Sequence, residues 1–210
     1  MIKKRRISHL TPRYVYNRLG VLIDERLRPD NPWLTAYAVR LLETMIRPTD
    51  TGIEFGSGRS TLWIGKRLRH LTSVEHDIAW HSKVQNTVYQ AGLSNRVDCR
   101  LAQDDDSYLN LFNELGDSSV DFCLIDGRLR DECAIRMLPK LRPGSLLVVD
   151  NVNRYLPNDK THSPDSRRHA DGCASGKWSV FNKETENWRY VWTSNGITDT
   201  ALYICPSPIH

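Results

Sequence analysis

The run Glu54-Phe55-Gly56-Ser57-Gly58-Arg59-Ser60-Thr61 stands where a short apolar strand, Thr51 to Phe55, should give way to a helix, and no other feature limits this chain as much. Two glycines let the main chain turn tightly and approach a ligand with no Cβ in the way, while the amides that open the next helix favour polar or anionic groups. Such a turn predicts a nucleoside cofactor held by backbone. Glu54 sharpens the expectation, because a carboxylate two places before the first glycine repels a pyrophosphate and stabilises a cationic amino or sulfonium group. Thr61 occupies the place of the third glycine in a dinucleotide fingerprint, which disfavours a nicotinamide dehydrogenase.

Around this turn the chain alternates strand and helix signals. Apolar residues recur at helical spacing from Thr11 to Leu27 and from Trp33 to Ile46, giving two helices ahead of the first strand. Helices are then expected over Ser60 to Arg69, Ala79 to Ala91 and Asp131 to Leu141, and strands over Leu71 to Glu75 and Val97 to Leu101. Val120 to Asp126 and Ser145 to Asp150 are unbroken apolar runs ending in aspartate, as expected for central parallel strands covered on both faces. Residues 153–176, rich in Pro, Asp, Ser, Arg and His, read as a long loop, and Trp188 to Thr193 with Thr200 to Cys205 as an antiparallel pair reversing at Asn195-Gly196. The fold class is therefore α/β: a doubly wound, Rossmann-like sheet, mostly parallel, with a terminal antiparallel hairpin. A length of 210 residues suits one domain, with helices in 1–50, a cofactor-binding core in 51–152, a substrate loop in 153–176 and the hairpin in 177–210.

Charge and cysteine content exclude little but agree with this. The net charge of +4 owes much to Lys3, Lys4, Arg5 and Arg6, which describes a basic tail rather than a nucleic-acid groove. Five cysteines without C-x-x-C spacing suggest reduced thiols and a cytoplasmic protein. No apolar run approaches the ~20 residues of a membrane span, and no signal-peptide core follows the basic start.

Ligands of doubly wound sheets lie beyond the carboxyl ends of the strands, so Glu54, Glu75, Gln103, Asp104, Asp126, Asp150 and Asn151 are the residues to weigh. Glu75, ending the second strand, is placed to accept hydrogen bonds from both hydroxyls of a ribose. Taken together, Glu54-Phe55-Gly56-Ser57-Gly58, Val74-Glu75-His76-Asp77, the strand from Val120 to Gly127, the run Leu141 to Asp150 and the terminal hairpin resemble the class I S-adenosylmethionine-dependent methyltransferases, from about residue 33 onward. The resemblance implies that Glu54 and the backbone of Gly56, Ser57 and Gly58 hold the methionine portion, that Glu75 binds the ribose, and that Gln103 or Asp104 meets the adenine edge. His76 would pack beside the adenine. For Gln103 and Asp104 the alternative is simply a helix cap.

Asp126, Asp150 and Asn151 end adjacent strands, and two carboxylates with an amide oxygen form a hard, oxygen-only set suited to Mg²⁺. This resembles the cation-dependent, catechol-type O-methyltransferases, in which the metal positions two substrate oxygens and lowers the pKa of the attacking hydroxyl. The alternative has Asp126 bonding the cofactor's amino group and Asp150-Asn151 turning the chain. Leu129 stands where the catechol-type enzymes carry their lysine base, so the candidates for acceptor chemistry become Asp126, Asp131, Arg128 and, from the long loop, His162 or His169. Trp33 and Tyr37 are candidates for a lid. The expected reaction is methyl transfer to a hydroxyl oxygen of a polar small molecule or saccharide, with the loop framing its pocket through Arg154, Arg167 and Arg168. A homodimer is compatible with this. Nucleic acid is disfavoured as substrate, since the base-methylating Asn/Asp-Pro-Pro-aromatic motif is replaced by Asp126-Gly127-Arg128. A noncatalytic nucleoside-binding module and an RNA ribose methyltransferase stay open as alternatives.

Overall fold

The computed structural model describes residues 11–207; the basic tail from Lys3 to Arg6 lies outside them. A helix α1 (Pro12–Leu27) and a helix α2 (Ala36–Met45) precede β1 (Thr51–Phe55), α3 (Arg59–Gly65), β2 (His70–Glu75), α4 (Ile78–Gln90) and β3 (Val97–Leu101). Then come α5 (Asp105–Glu114), β4 (Val120–Ile125), α6 (Arg130–Met137), β5 (Leu141–Asp150), α7 (Gly176–Glu184), β6 (Arg189–Ser194) and β7 (Asp199–Ile204). They form a seven-stranded sheet in the order β3-β2-β1-β4-β5-β7-β6, parallel through β5 and antiparallel where β7 meets β5 and β6. This is the doubly wound, Rossmann-like sheet with a terminal hairpin that the strand and helix signals imply.

The alternation of side chains along β4 shows why its sequence is apolar without a break. Phe122 and Leu124 join a core with Leu42, Trp63, Ile64 and Leu68 on one face, while Cys123 and Ile125 join Phe55, Tyr108, Phe112 and Phe181 on the other. A strand covered on both faces has no solvent side on which polar residues could alternate. The five cysteines are free thiols, three of them buried, and among the described residues no helix is long and apolar enough to cross a membrane.

Several elements differ from the sequence expectation for local reasons. Helix α3 stops at Gly65 rather than Arg69, and α6 at Met137 rather than Leu141, where Pro139 lies within a 3-10 turn over Leu138–Lys140. Strand β5 begins at Leu141 instead of Ser145, through Arg142-Pro143-Gly144, at an irregularity in its pairing with β4. Two helices were hidden in polar sequence: α5, capped by Asp104 and burying Tyr108, Leu111 and Phe112, and α7, capped by Ser175 and burying Trp178 and Phe181. The segment 177–210 is thus a helix followed by the hairpin. The loop over 153–176 is shorter by α7's first residue and is built rather than slack, because Asn153 accepts from Asp199 and donates to the Pro164 carbonyl.

Helix α2 is fastened to the hairpin by Thr35, whose hydroxyl lies 2.5 Å from that of Thr193 and whose amide donates to Thr200 at 3.2 Å. By contrast, no residue of α1 is buried, although Thr11 and Pro12 give it a regular start. The ends of β1 and β4 meet so closely that Gly56, at φ +95°, would place a Cβ 2.6 Å from the Gly127 backbone, and a Cβ on Gly127 would lie 2.8 Å from the Gly56 nitrogen and collide with the Tyr108 hydroxyl. Gly127→Ala is accordingly expected to cost about 1–3 kcal/mol of stability, read as a lower urea midpoint with an unchanged m-value; an unchanged midpoint would mean the strand ends can separate freely.

Candidate functional site

The floor of the site is a buried hydrogen-bond network under the glycine turn. Glu54 is completely buried, and its Oε2 accepts from the hydroxyls of Thr61 and Ser73, both at 2.5 Å. Thr61 in turn accepts from the Gly58 amide at 2.8 Å, and Ser73 lies 2.7 Å from the Ser57 hydroxyl. One carboxylate therefore ties β1, the turn, α3 and β2 together. Burial pushes the Glu54 carboxyl up to about 7, the hydroxyls of Ser60, Ser73 and Thr61 offsetting part of the desolvation. Glu54 does not line the cleft above, so the structure places it as the support of the turn, whereas the sequence reading put it in contact with the methionine portion.

Above this floor opens a cleft of ≈ 320 Å³ lined by Trp33, the turn from Gly56 to Ser60, Glu75, His76, Trp80 and Asp126 to Arg128. Gly58 has extended backbone, and a Cβ there would meet nothing closer than the Ser60 hydroxyl at 4.0 Å, so the missing side chain leaves open space on the cleft side. Glu75, 4% exposed, is aimed by three amides: Ser57 donates to Oε2 at 3.1 Å, while His76 and Asp77 donate to Oε1 at 2.7 and 2.9 Å. Each oxygen of a carboxylate has about two acceptor sites, so Oε2 of this cleft-lining residue retains capacity beyond the Ser57 amide. His76 is half exposed, with Nδ1 2.8 Å from Glu75 Oε1. Trp80, Arg59 and Gly127 belong to the cleft and were not singled out from sequence; Trp80 Nε1 donates to the Ser57 carbonyl at 2.6 Å, and the Arg59 guanidinium stacks on the Trp33 ring at 4.9 Å.

The structure does not bring every expected residue to this cleft. Asp104 caps α5 by accepting from the Ser107 amide at 2.8 Å, and Gln103 meets the cleft rim only through its carbonyl, which accepts from Arg128. Arg128 is also paired with Asp105 across that rim. Asp131 is spent on the α6–α7 junction, accepting from the Ser175 hydroxyl at 2.8 Å and the Glu132 amide at 3.0 Å. His169 pairs with Asp159 on the surface, and His162 lies with Tyr14 and Arg168 in a separate hollow. Arg167 and Arg168 brace their own loop through the carbonyls of Gly172, Asp171 and Thr161, at 2.7, 2.7 and 2.8 Å. Tyr37 is exposed beside Arg40 and does not reach the cleft, whereas Trp33 does.

At the ends of β4 and β5, Asp126, Asp150 and Asn151 do converge, around the Arg130 guanidinium. Arg130 donates to Asp126 Oδ1 at 2.8 Å and to Asn151 Oδ1 at 3.2 Å. Asp150 Oδ1 accepts from the Thr200 hydroxyl and Oδ2 from the Asn151 amide, both at 2.7 Å. Burial raises both carboxyls, and the charge of Asp126 raises Asp150 further; Arg130 opposes this. A divalent ion would need Asp126 Oδ1 and Asn151 Oδ1, which the Arg130 guanidinium already holds, and the donor set does not fit Mg²⁺ because a fixed positive charge sits among its oxygens.

Residues 53–152 match a family model described as a methyltransferase domain. No curated protein matches the chain. Among solved structures, the chain is similar to an O-methyltransferase from Bacillus cereus in complex with SAH, at 16% identity and TM-score 0.62 over 90% of each chain. It is also similar to the O-methyltransferase TomG from Streptomyces achromogenes, involved in tomaymycin synthesis and solved with SAM, at 18% identity and TM-score 0.61 over 91% of this chain and 90% of that one. A methyltransferase from Geobacter sulfurreducens gives 14% identity and TM-score 0.57 over 96% and 94%. At these identities the likeness is one of fold: a methyltransferase-type doubly wound sheet. The family match runs from within β1 past the end of β5, so residues 53–152 are a methyltransferase domain set in this sheet.

The raised Glu54 pKa has a worked-out sign. Between about 4.5 and 7 the unfolded chain loses its Glu54 proton while the folded one keeps it, so this share of stability is full below about 4.5 and lost as pH rises through about 7. The loss is on the order of 3 kcal/mol. Glu54→Gln is expected to flatten that part of the decline between about pH 4.5 and 7 in thermal melts; a variant with the wild-type slope would contradict the assignment.

Proposed function

We propose that this chain transfers the methyl group of S-adenosylmethionine to a hydroxyl oxygen of a polar small molecule, a saccharide being one such acceptor. The observation that carries the reading is the junction of two hollows: the cleft over the glycine turn shares Trp33 and Arg59 with a cavity of ≈ 560 Å³ formed by α1, residues 31–36 and the hairpin residues Asn195, Ile197 and Thr198. Its size suits a small-molecule ligand. In this reading Glu75 binds the ribose hydroxyls, the backbone of Gly56 to Gly58 holds the amino-acid portion, and His76 and Trp80 flank the nucleoside. Glu54 acts from below by holding the turn in shape.

The bound co-substrate supplies a methyl group on a sulfonium, which an acceptor oxygen takes by in-line displacement, S-adenosylhomocysteine leaving. The protein's part is orientation and exclusion of water. Trp33 and Arg59 form the wall between the hollows. Asp126 reaches the cleft edge with Oδ2 not bound to Arg130, the carboxylate oxygen best placed to receive the acceptor's proton. Oxygen as the methylated atom is supported by the O-methyltransferases among the fold neighbours. The acceptor cavity lies under α1, not under the loop over 153–176, where Arg167 and Arg168 hold their own backbone.

Glu75→Ala is expected to weaken S-adenosylmethionine binding about 100-fold in calorimetry, the worth of two charge-assisted hydrogen bonds; unchanged affinity would remove the ribose assignment. Gly20, on α1, lines the acceptor cavity, and a Cβ added there would meet nothing within 4 Å. Gly20→Trp should therefore raise the KM for acceptor about 10-fold while leaving S-adenosylmethionine affinity unchanged. Release of S-adenosylhomocysteine against a panel of hydroxylated metabolites and sugars tests the activity itself, and cofactor binding without turnover on any acceptor would favour a noncatalytic module.

A further inference from the structure

Arg130 is the most completely engaged side chain at the strand ends. A guanidinium has five N–H donors, and here each has an acceptor. Nε donates to the Gly127 carbonyl at 2.9 Å; Nη1 donates to the Asp150 carbonyl at 2.7 Å and Asn151 Oδ1 at 3.2 Å; Nη2 donates to the Asp126 carbonyl at 2.5 Å and Asp126 Oδ1 at 2.8 Å. The side chain is 14% exposed, and its head lies 5.8 Å from the Tyr155 ring centroid. Two local conformations bring the parts together: Leu129 enters α6 in the left-handed region at φ 49°, and Asn151 leaves β5 at φ 54°. Left-handed backbone at a leucine is uncommon and persists only where surrounding contacts over-determine it.

We propose that Arg130 is the resident cation of this edge, its guanidinium standing between Asp126 and Asn151 where a divalent ion would have to bind, so that methyl transfer is metal-independent and needs no vicinal-diol acceptor. The first half stands on the hydrogen bonds alone; the second rests on the methyl-transfer reading. Arg130 neutralises part of the paired Asp126 and Asp150 charge and holds the β4 and β5 ends at a fixed separation. A divalent ion does this too, but it also offers open coordination positions that chelate two substrate oxygens. A guanidinium with every donor spent offers none. The acceptor must then be held by the walls of its cavity, and a single hydroxyl is enough.

The test is Mn²⁺ titration of the full chain, followed by electron paramagnetic resonance, on wild type, R130A and R130Q, with S-adenosylmethionine calorimetry in parallel. Wild type is expected to show no stoichiometric Mn²⁺ site and the same cofactor affinity in EDTA. R130A, deprived of the cation between the Asp126 carboxylate and Asn151, should lose roughly 5–10 °C of melting temperature and gain Mn²⁺ affinity by at least about 10-fold. R130Q covers the case in which R130A does not fold, and it should gain Mn²⁺ in the same way. A stoichiometric Mn²⁺ site in wild type would overturn the proposal, as would a natively folded R130Q with no gain. Loss of cofactor binding in wild type that already excludes Mn²⁺ would instead strike the methyl-transfer reading and leave the cation assignment supported.

Discussion

The site depends on one buried carboxylate. Glu54 lies under the glycine turn with no solvent contact, and the hydroxyls it binds, on Thr61 and Ser73, in turn engage the Gly58 amide and the Ser57 hydroxyl. Burying an acid without a positive partner is costly, which is why its pKa rises; the return is a turn whose shape is set from beneath. Its three amides are all engaged, Gly56 with the Val74 carbonyl, Ser57 with Glu75 and Gly58 with Thr61. The same turn aims Glu75, because the Ser57 amide that it positions donates to Glu75 Oε2.

The second constraint is the approach of β1 and β4. Gly56 and Gly127 touch backbone to backbone, so the strand that carries the cofactor turn and the strand that carries Asp126 present their ends side by side. Arg130 extends that edge to β5 by joining Asp126 to Asp150 and Asn151. Thr200 and Thr198, on the hairpin, bind Asp150 and Asn151 in turn, which connects the methyl-transfer edge to the wall of the larger cavity. Helix α1 roofs that cavity without burying any of its own residues. In the proposed reading, acceptor selection falls to the least anchored element of the described fold, while cofactor binding falls to the most anchored.

What was legible in the sequence followed from burial on two faces. Strands β4 and β5 read clearly because nothing polar can interrupt a strand covered on both sides, and Gly56 and Glu75 read clearly because their backbone and strand-end positions are local. Helices α5 and α7 were not legible, since their caps, Asp104 and Ser175, lie in polar runs that resemble loops and their apolar faces span only two or three residues. Asp131 looked like a base only because its partner, Ser175, is far away in sequence. Arg130 was unreadable as a site residue for a similar reason. Its direction is set by the left-handed Leu129, which no sequence signal marks, and its acceptors are carbonyls as much as side chains. The three oxygen donors therefore suggested a metal, and their counter-charge was already present in the chain.

A crystal structure with S-adenosylhomocysteine tests the central claim most directly, because it reads the cofactor's position against both anchors at once. The account predicts the ribose hydroxyls on Glu75, the amino-acid portion against the Gly56–Gly58 backbone, Glu54 buried out of contact, and the sulfur facing the edge formed by Asp126 and Arg130. Electron density for the nucleoside elsewhere, or a metal ion in place of the Arg130 guanidinium, would contradict it.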